Sequence, residues 1–228
     1  MERFPDEYVT WNHNTPVGIK VNEVFGMDSK AGKPWLILAK QIYCEQGQNY
    51  RVLDHFPNGA PFLEGIHARI SMTHTDHFLA VALLPKTPDV DLAVFNPRSA
   101  MGIDAEKKDR MQVLKIRDKF LSDNEQSCID KDNIEKNILA WTSKEAVYKA
   151  GMTPGIDFRN KIQIMELPVV DPAPEKMNQP ILGEATLYFP DHMDLEPQIL
   201  KLFAYESYDC IVTIAFSPKC AKFNSSIL

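Results

Sequence analysis

Two groups of charged residues in this 228-residue sequence have spacings that suit phosphate chemistry. Asp104 and Glu106 are two positions apart at the end of an apolar stretch, so both carboxylates project from one face if the chain there is a strand. Glu145 and Lys149 are one helical turn apart and in line with Trp141. Three carboxylates and an ammonium are the groups that metal-assisted chemistry on a pyrophosphate requires.

Simpler structural roles for the same residues remain open at this point. Thr142 and Glu145 have the spacing of a capping box at the start of a helix. Glu145 and Lys149 also form a helical ion pair in the favourable orientation, which stabilises a helix by about 0.2–0.5 kcal/mol. Asp104 and Glu106 would then be a solvated acidic turn, with Glu106 placed favourably at a helix N-terminus.

The composition is that of an ordinary soluble globular protein, with 44% hydrophobic and 25% charged residues. The formal net charge of −6 argues against a nucleic-acid-binding protein, although a local basic pocket for a phosphorylated ligand is compatible with it. The four cysteines have no CxxC spacing, which indicates free thiols in a reducing compartment. Neither a signal sequence nor an apolar run of about 18–20 residues is evident, so we expect a cytoplasmic protein without a membrane partner.

Apolar periodicity and turn residues predict an α+β protein of one large or two small domains. The predicted elements are a helix at 34–43, an irregular turn at 56–65, a strand pair or one long strand at 70–83, a strand at 100–106, helices at 106–125 and within 126–140, and four strands at 161–167, 183–190, 201–208 and 209–216.

One internal similarity bears on how these elements are arranged. Residues 76–83 and 209–216 share the pattern D-x-Φ-Φ-x-Φ-A-Φ, where Φ is an apolar residue. One copy lies in each half of the chain, which suits a duplicated α+β unit. Eight positions are few, however, and chance recurrence of strand-like sequence is the alternative.

The two charged groups together resemble the two-part signature of the 4′-phosphopantetheinyl transferases. GIDAE (102–106) is similar to the family's GxDxE, and WTSKEAVYKA (141–150) is similar to [FW]-[ST]-x-K-E-[AS]-x-x-K. Upstream, NGAPFLEG (58–65) and ISMTHT (70–75) resemble the family's "GKPxL" loop and its histidine-bearing strand. The order and spacing are those of the longer, surfactin-type members.

The resemblance implies the 4′-phosphopantetheinyl transferase fold, with two similar α+β units in one chain related by a pseudo-twofold. Residues 1–101 would form the N-terminal unit, on the side of the adenosine and 3′-phosphate of coenzyme A. Residues 102–228 would form the C-terminal unit, which carries the metal and catalytic residues. Because both units are in one chain, we expect a monomer.

The implied activity is transfer of the phosphopantetheine arm of coenzyme A to a serine of an apo acyl or peptidyl carrier protein, with release of adenosine 3′,5′-bisphosphate. By matching positions, Asp104, Glu106 and Glu145 would bind Mg²⁺, for which Mn²⁺ could substitute. Glu145 would also be the general base, and Lys149 would contact the phosphate under attack and neutralise the departing charge. Trp141 would pack and fix the helix.

The resemblance also implies contacts to coenzyme A. The candidate coenzyme-binding residues are Lys40, Pro61, Thr73, His74, Lys144 and Lys149, with Lys144 taken as a second phosphate or surface contact. Thr73 replaces the usual serine, a mild change because both carry a hydroxyl. Ala60 replaces a lysine that relatives use to hold coenzyme A, and the long segment at 85–100 has no assigned role.

Two other functions remain open. Ala60 and the 85–100 segment are compatible with a non-catalytic relative that binds carrier proteins or coenzyme A. Similar acids could also serve a different metal-dependent phosphoryl or nucleotidyl enzyme.

Overall fold

Strands dominate the part of the chain that the structure describes. The structure is a computed structural model, and it describes residues 9–25, 53–64, 67–84, 89–172 and 180–220. Within these residues several sheets are combined with a few helices, which confirms the predicted mixed α+β class.

The described elements are short, apart from one helix of 18 residues. The strands are β1 Val9–Asn14, β2 Lys20–Phe25, β3 Leu53–His55, β4 Pro61–Leu63, β5 Arg69–His74, β6 Phe78–Leu84, β7 Met101–Lys107, β8 Ile162–Glu166, β9 Val170–Asp171, β10 Gly183–Leu187, β11 Gln198–Ser207 and β12 Cys210–Phe216. The α-helices are α1 Gln112–Lys115, α2 Arg117–Phe120, α3 Asp123–Cys128, α4 Ile134–Gly151 and α5 Phe158–Lys161, and a 3₁₀ turn spans Asp191–Met193.

Two antiparallel sheets divide the described strands by chain order. The N-terminal sheet has the order β1-β2-β6-β5, and the C-terminal sheet has the order β7-β12-β11-β10-β8, with β9 parallel to β11. A separate hairpin joins β3 and β4. In this arrangement β5 is at one end of the N-terminal sheet and β7 is at one end of the C-terminal sheet.

A continuous apolar core joins the two sheets. Met101, Ile103 and Ala105 on β7 are in the same buried cluster as side chains of β2 and β6. A buried polar contact crosses this interface as well, since the Glu23 carboxylate on β2 accepts two hydrogen bonds of 2.6 Å, from the hydroxyls of Tyr205 and Ser207 on β11. The desolvation of Glu23 is thereby compensated by hydrogen bonding.

Side-chain hydroxyls join the two sheets where β5 lies beside β7. The Ser71 hydroxyl accepts a hydrogen bond of 3.1 Å from the backbone N–H of Ile103, and the Thr73 hydroxyl accepts one of 3.0 Å from the N–H of Ala105. The Arg69 guanidinium donates to a backbone carbonyl at the start of β7. The two hydroxyls satisfy N–H groups at the edge of β7, and Arg69 satisfies a carbonyl there, all of which would otherwise need a strand or water.

The single helix predicted at 106–125 is wrong. Strand β7 continues through Lys107, and the following residues form the three short helices α1, α2 and α3. The chain becomes extended at Leu121, with φ −91° and ψ 132°, which ends α2. Ser122 then caps α3 in a capping box with Glu125, a start signal present in the sequence as SDNE.

The long helix begins earlier than the sequence motif suggested. Helix α4 starts at Ile134 after the N-cap Asn133, whose side chain accepts a hydrogen bond from the N–H of Lys136. Thr142 is therefore inside the helix, and the capping box predicted for Thr142 and Glu145 is wrong. The Thr142 hydroxyl instead contacts Leu139 O and the hydroxyl of Thr213.

Other predicted elements have mixed outcomes. Of the two alternatives for 70–83, the structure has the strand pair, β5 and β6, and the strand at 100–106 is confirmed as β7. The four C-terminal strands are confirmed as β8, β10, β11 and β12. The irregular turn at 56–65 is only partly correct, since Pro61 begins strand β4, a strand position that proline tolerates. The helix at 34–43, with Lys40, lies outside the described residues.

The two similar segments occupy comparable positions. Residues 76–83 contribute most of β6, between β2 and β5, and residues 209–216 contribute β12, between β7 and β11. Each is the second strand of an antiparallel hairpin. A pseudo-twofold between two complete units stays a prediction, as does the boundary at residues 101 and 102.

Two sequence expectations concern membranes and thiols. Of the helices in the described part of the chain, none combines the length and apolar character that crossing a bilayer requires. Cys128, Cys210 and Cys220 are free thiols, the last two buried, and Cys44 lies outside the described residues.

Candidate active site

Helix α4 crosses strand β7 at very short range at Gly102. A Cβ atom added to Gly102 would lie 2.2 Å from Ala146 O and 2.7 Å from Ala150 N, so only glycine fits at this crossing. Asp104 and Glu106 follow on the same face of β7 at alternate positions. The crossing therefore points both carboxylates toward the side of α4 that carries Glu145 and Lys149.

The charged residues of β7 and α4 that could bind metal and phosphate meet in one pocket of about 450 Å³, which we call the site pocket. All three candidate metal ligands, Lys149 and two of the candidate coenzyme contacts line it. The lining residues are Met72, Thr73, His74, Asp104, Glu106, Arg110, Trp141, Glu145 and Lys149.

Lys149 and Asp104 are held together at the base of this pocket. Lys149 Nζ donates to Asp104 Oδ1 at 2.7 Å and to the carbonyl oxygens of Ile103 at 3.0 Å and Met72 at 3.3 Å. Asp104 is only 7% exposed, and its Oδ1 also accepts a hydrogen bond of 3.1 Å from the Thr73 hydroxyl. The ammonium is thus oriented by backbone carbonyls of two strands.

The other two acids have different electrostatic environments. Glu106 is buried and pairs with Arg110, whose Nη1 donates to Glu106 Oε1. Burial raises the pKa of Glu145 to about 7, and the Asp104 carboxylate reinforces this effect while Lys149 and Arg110 oppose it. Glu145 therefore exchanges its proton near neutral pH, as a general base must.

The donor set suits a hard divalent cation, but its arrangement is not that of a bound-metal site. Carboxylate oxygens are the ligands that Mg²⁺ prefers, and three carboxylates face one pocket. Among the described residues, however, no group of three His, Cys, Asp or Glu side chains is clustered as metal ligands are. One oxygen of each of two carboxylates, Asp104 Oδ1 and Glu106 Oε1, instead contacts Lys149 and Arg110, so a bound cation must share these carboxylates with the ammonium and the guanidinium.

The part of the chain that carries these acids matches a known family. Residues 100–192 match the family model of the 4′-phosphopantetheinyl transferase superfamily. The match supports a transferase and suggests that phosphopantetheine is the group transferred. No curated protein matches the chain.

The superfamily match includes the C-terminal part of the site and omits the rest. It spans Asp104, Glu106, Glu145 and Lys149, on β7 and α4. It covers less than half of the 228 residues, and the contributions of β4 and β5 lie outside it. The surfactin-type subfamily is therefore not established by the match.

Within the superfamily-matching segment, the structure corrects the prediction for Lys144. Its side chain is completely buried, and Nζ donates to Glu125 Oε2 at 2.7 Å. The same ammonium also donates to the carbonyl oxygens of Phe120, Phe158 and Ile162 at 2.7–2.9 Å. Lys144 is therefore neither a surface residue nor a phosphate contact; it joins α4 to α2, α3 and α5. Burial lowers the pKa of Lys144, and the Glu125 carboxylate opposes this shift.

Lys144→Ala is expected to destabilise the fold by about 3–5 kcal/mol, because it leaves the buried Glu125 carboxylate without its cation. Urea denaturation measures the change in the free energy of unfolding. As a control, Lys161→Ala removes an ion pair whose partner Asp191 is 98% exposed, and should cost at most about 1 kcal/mol. Equal effects of the two substitutions would contradict the buried role of Lys144.

Trp141 packs against aromatic side chains at the rim of the site pocket. Its ring centroid is 5.0 Å from that of Phe120, in an edge-on arrangement, and 5.8 Å from that of Phe158. Such pairs are favourable geometries for aromatic rings. This contact is consistent with the predicted packing role for Trp141.

The candidate coenzyme-binding residues outside the superfamily match occupy different places. His74 is exposed and lines the site pocket. Pro61 lines a second pocket of about 200 Å³, the loop pocket, together with Asn58, Gly59, Ala60 and Arg69. Met72 and Lys149 line both pockets, so the two are adjacent. Their roles in binding stay predictions, and Lys40 lies outside the described residues.

Thr73 and Arg110 have roles that the sequence reasoning missed. The Thr73 hydroxyl donates to Asp104 and accepts from Ala105 N–H, so it orients the carboxylate at the site. Arg110 pairs with Glu106 and lines the pocket. The four-residue spacing of Glu106 and Arg110 was a signal for this pair, within the helix predicted at 106–125.

Proposed function

We propose that the protein transfers the 4′-phosphopantetheine arm of coenzyme A to a serine of an apo acyl or peptidyl carrier protein, releasing adenosine 3′,5′-bisphosphate in a Mg²⁺-dependent reaction. One observation carries the proposal: three carboxylates and an oriented ammonium line a single pocket within the segment that matches the superfamily. In this proposal the protein acts as a cytoplasmic monomer, without nucleic-acid or membrane partners.

Each group in the site pocket has a place in this reaction. Asp104, Glu106 and Glu145 would hold Mg²⁺, and a bound Mg²⁺ neutralises part of the pyrophosphate charge. Glu145 takes the proton of the carrier serine while the serine oxygen forms a bond to the β-phosphorus of coenzyme A. The bond from that phosphorus to the adenosine bisphosphate breaks, and Lys149 neutralises the charge that develops on the phosphate oxygens.

The electrostatics of the site support these roles. A serine hydroxyl is a poor nucleophile at neutral pH and needs a base whose pKa is near the working pH. In the metal-free protein burial raises the pKa of Glu145 to about 7, and a bound Mg²⁺ would lower it, so that the carboxylate is ionised and can accept the serine proton. Three hydrogen bonds hold the Lys149 ammonium in the site pocket, so its positive charge is in place before charge develops on the phosphate oxygens.

The N-terminal sheet supplies the proposed coenzyme side of the site. The loop pocket is adjacent to the site pocket and contains Pro61 and the buried Arg69 guanidinium. His74 is at the exposed end of β5, where its imidazole can reach a phosphate. We assign the nucleotide part of coenzyme A to this side, with Pro61, Thr73 and His74 as its neighbours.

A carrier-modification assay tests the proposal. The protein is incubated with coenzyme A, Mg²⁺ and a panel of apo acyl and apo peptidyl carriers, and the carriers are weighed by intact mass spectrometry. We expect a mass gain of one phosphopantetheine and an equal amount of adenosine 3′,5′-bisphosphate. Carriers with alanine at the acceptor serine, and reactions with a chelator, should give neither product.

A non-catalytic binding protein is the second candidate, and the absence of a metal-ligand cluster in the described residues favours it. It predicts measurable binding of a carrier or coenzyme A without any mass gain. Release of a product other than adenosine 3′,5′-bisphosphate would instead indicate a different phosphoryl or nucleotidyl enzyme.

A further inference from the structure

The carboxylates of the site pocket are compensated by the protein's own cations. Lys149 donates to Asp104, and Arg110 donates to Glu106. The two pairs differ in mobility, since Lys149 is also fixed by two carbonyl oxygens, whereas the Arg110 side chain is 47% exposed. Glu106 is only 11% exposed, so the arginine lies at the outer side of the pair.

Arg110 is placed at the boundary between two pockets. It lines the site pocket and also an outer pocket of about 360 Å³, which is formed by His74, Thr75, Asp76, Glu106, Lys107, Asp109 and Arg110. A side chain at this boundary can turn from Glu106 toward a ligand in either pocket without unpacking the core.

We propose that Arg110 is a partner-exchange residue: it holds Glu106 while no cation is bound, and it transfers its hydrogen bonds to phosphate oxygens when a divalent cation and a diphosphate group enter the site pocket. The inference rests on the proposed function, because it concerns the same pocket. It adds a positioning residue that belongs to neither the candidate metal ligands nor the candidate coenzyme contacts.

Charge and geometry support the exchange. A cation at Glu106 competes with the guanidinium for the same carboxylate and repels its charge, so Arg110 weakens the binding of a cation alone. The displaced guanidinium is planar and presents a fork of N–H donors that matches a phosphate group. Cation and diphosphate should therefore bind with positive cooperativity. The cation releases the Arg110 guanidinium from Glu106, and the diphosphate oxygens then take the place of that carboxylate as its hydrogen-bond acceptors.

A purely structural Glu106–Arg110 pair makes a different prediction. An ion pair with one half-exposed partner contributes little to stability, and its removal should leave pyrophosphate affinity unchanged. The proposed exchange instead requires two affinities to change in opposite directions.

The experiment compares Arg110→Ala with the wild-type protein, using Mn²⁺ and inorganic pyrophosphate as probes. Electron paramagnetic resonance measures Mn²⁺ binding to the protein alone, and calorimetry measures pyrophosphate binding at saturating Mn²⁺. We expect Mn²⁺ to bind up to about 5-fold more tightly to Arg110→Ala. Pyrophosphate should bind about 10–100-fold more weakly.

Lys108→Ala is the matched control. It removes the same charge two residues from Glu106, but Lys108 pairs with Glu206 on β11 and lines neither pocket. Both affinities should stay at the wild-type values, and thermal melting should show that both variants are folded. Any result for Arg110→Ala other than opposite changes, including a parallel loss of both affinities, overturns the proposal.

The proposed function can fail independently. If no carrier gains mass while Arg110→Ala still shows opposite changes in Mn²⁺ and pyrophosphate affinity, the transferase proposal is wrong and the partner exchange stands.

Discussion

Glu145→Gln is expected to lower the rate of carrier modification by about 10²–10⁴-fold, the usual contribution of a general base. The substitution keeps the size of the side chain and removes the carboxylate that accepts the serine proton. It also removes one of the three carboxylates that line the site pocket. Initial rates at saturating coenzyme A and carrier measure the effect.

Glu135→Gln provides the control for this result. Glu135 is exposed in the first turn of the same helix, so the same chemical change occurs away from the pocket. Its rate should equal that of the wild type. If Glu145→Gln retained more than about a tenth of the wild-type rate, Glu145 could not be the general base.

Glu145→Gln should also change the pH dependence of protein stability, which can be measured without turnover. The pKa of Glu145 is raised from 4.5 to about 7 in the folded protein. Folding therefore favours the protonated form, and this contribution is complete below pH 4.5 and lost as the pH rises through 7. With a chelator present, Glu145→Gln should be more stable than the wild type at pH 8 by an amount on the order of 1–3 kcal/mol, and the difference should shrink toward pH 5. A difference independent of pH would contradict the electrostatic account.

Gly102→Ala is expected to have the second large effect, on both stability and rate. The added Cβ would lie 2.2 Å from Ala146 O, 2.7 Å from Ala150 N and 2.9 Å from Lys149 Cβ. Two of these atoms are helix backbone, so α4 must move away from β7. Overpacking of this kind typically costs about 1–3 kcal/mol. Because Lys149 moves with α4, the rate should fall by about 10²-fold or more even in the folded fraction.

Gly183→Ala is the control that separates the loss of stability from the loss of rate expected for Gly102→Ala. Its Cβ would lie 2.4 Å from Glu166 O and 2.4 Å from Pro168 N, a backbone clash of similar severity. Gly183 is on β10, three strands away from β7 in the same sheet. Thermal melting should show similar destabilisation of both variants, whereas only Gly102→Ala should lose rate per folded molecule. Equal loss of rate would mean that general loosening, not displacement of α4, is responsible.

The directions of the charged side chains on β7 and α4 could be predicted from the sequence, because they depend only on the local periodicity of a strand and a helix. Asp104 and Glu106 alternate on a strand with an apolar opposite face, and Glu145 and Lys149 follow the helical turn. Gly102 on the same strand admits the α4 backbone at close range, which brings the two pairs of charged residues together. Such patterns survive folding because hydrogen-bonded backbone fixes side-chain direction.

Residues whose roles depend on distant parts of the chain were not predictable in this way. Lys144 is about 100° from Glu145 around the helix, and the sequence does not state which of these two faces is buried. Its four acceptors come from residues 14–24 positions away along the chain. Arg110 was placed in a helix that does not form, because the strand that precedes it continues through Lys107.

The junction between β5 and β7 restricts which residues evolution can place on β5. Ser71 and Thr73 each present a hydroxyl to a β7 amide that has no strand beside it to accept its hydrogen. Only serine and threonine carry a hydroxyl oxygen at that distance from the backbone, so serine is the residue that could replace Thr73 and keep both contacts. Valine matches the shape of threonine, but it would leave the amide of Ala105 and the carboxylate of Asp104 each short of one hydrogen bond. Sequence drift at position 73 is therefore expected to alternate between these two hydroxyl residues.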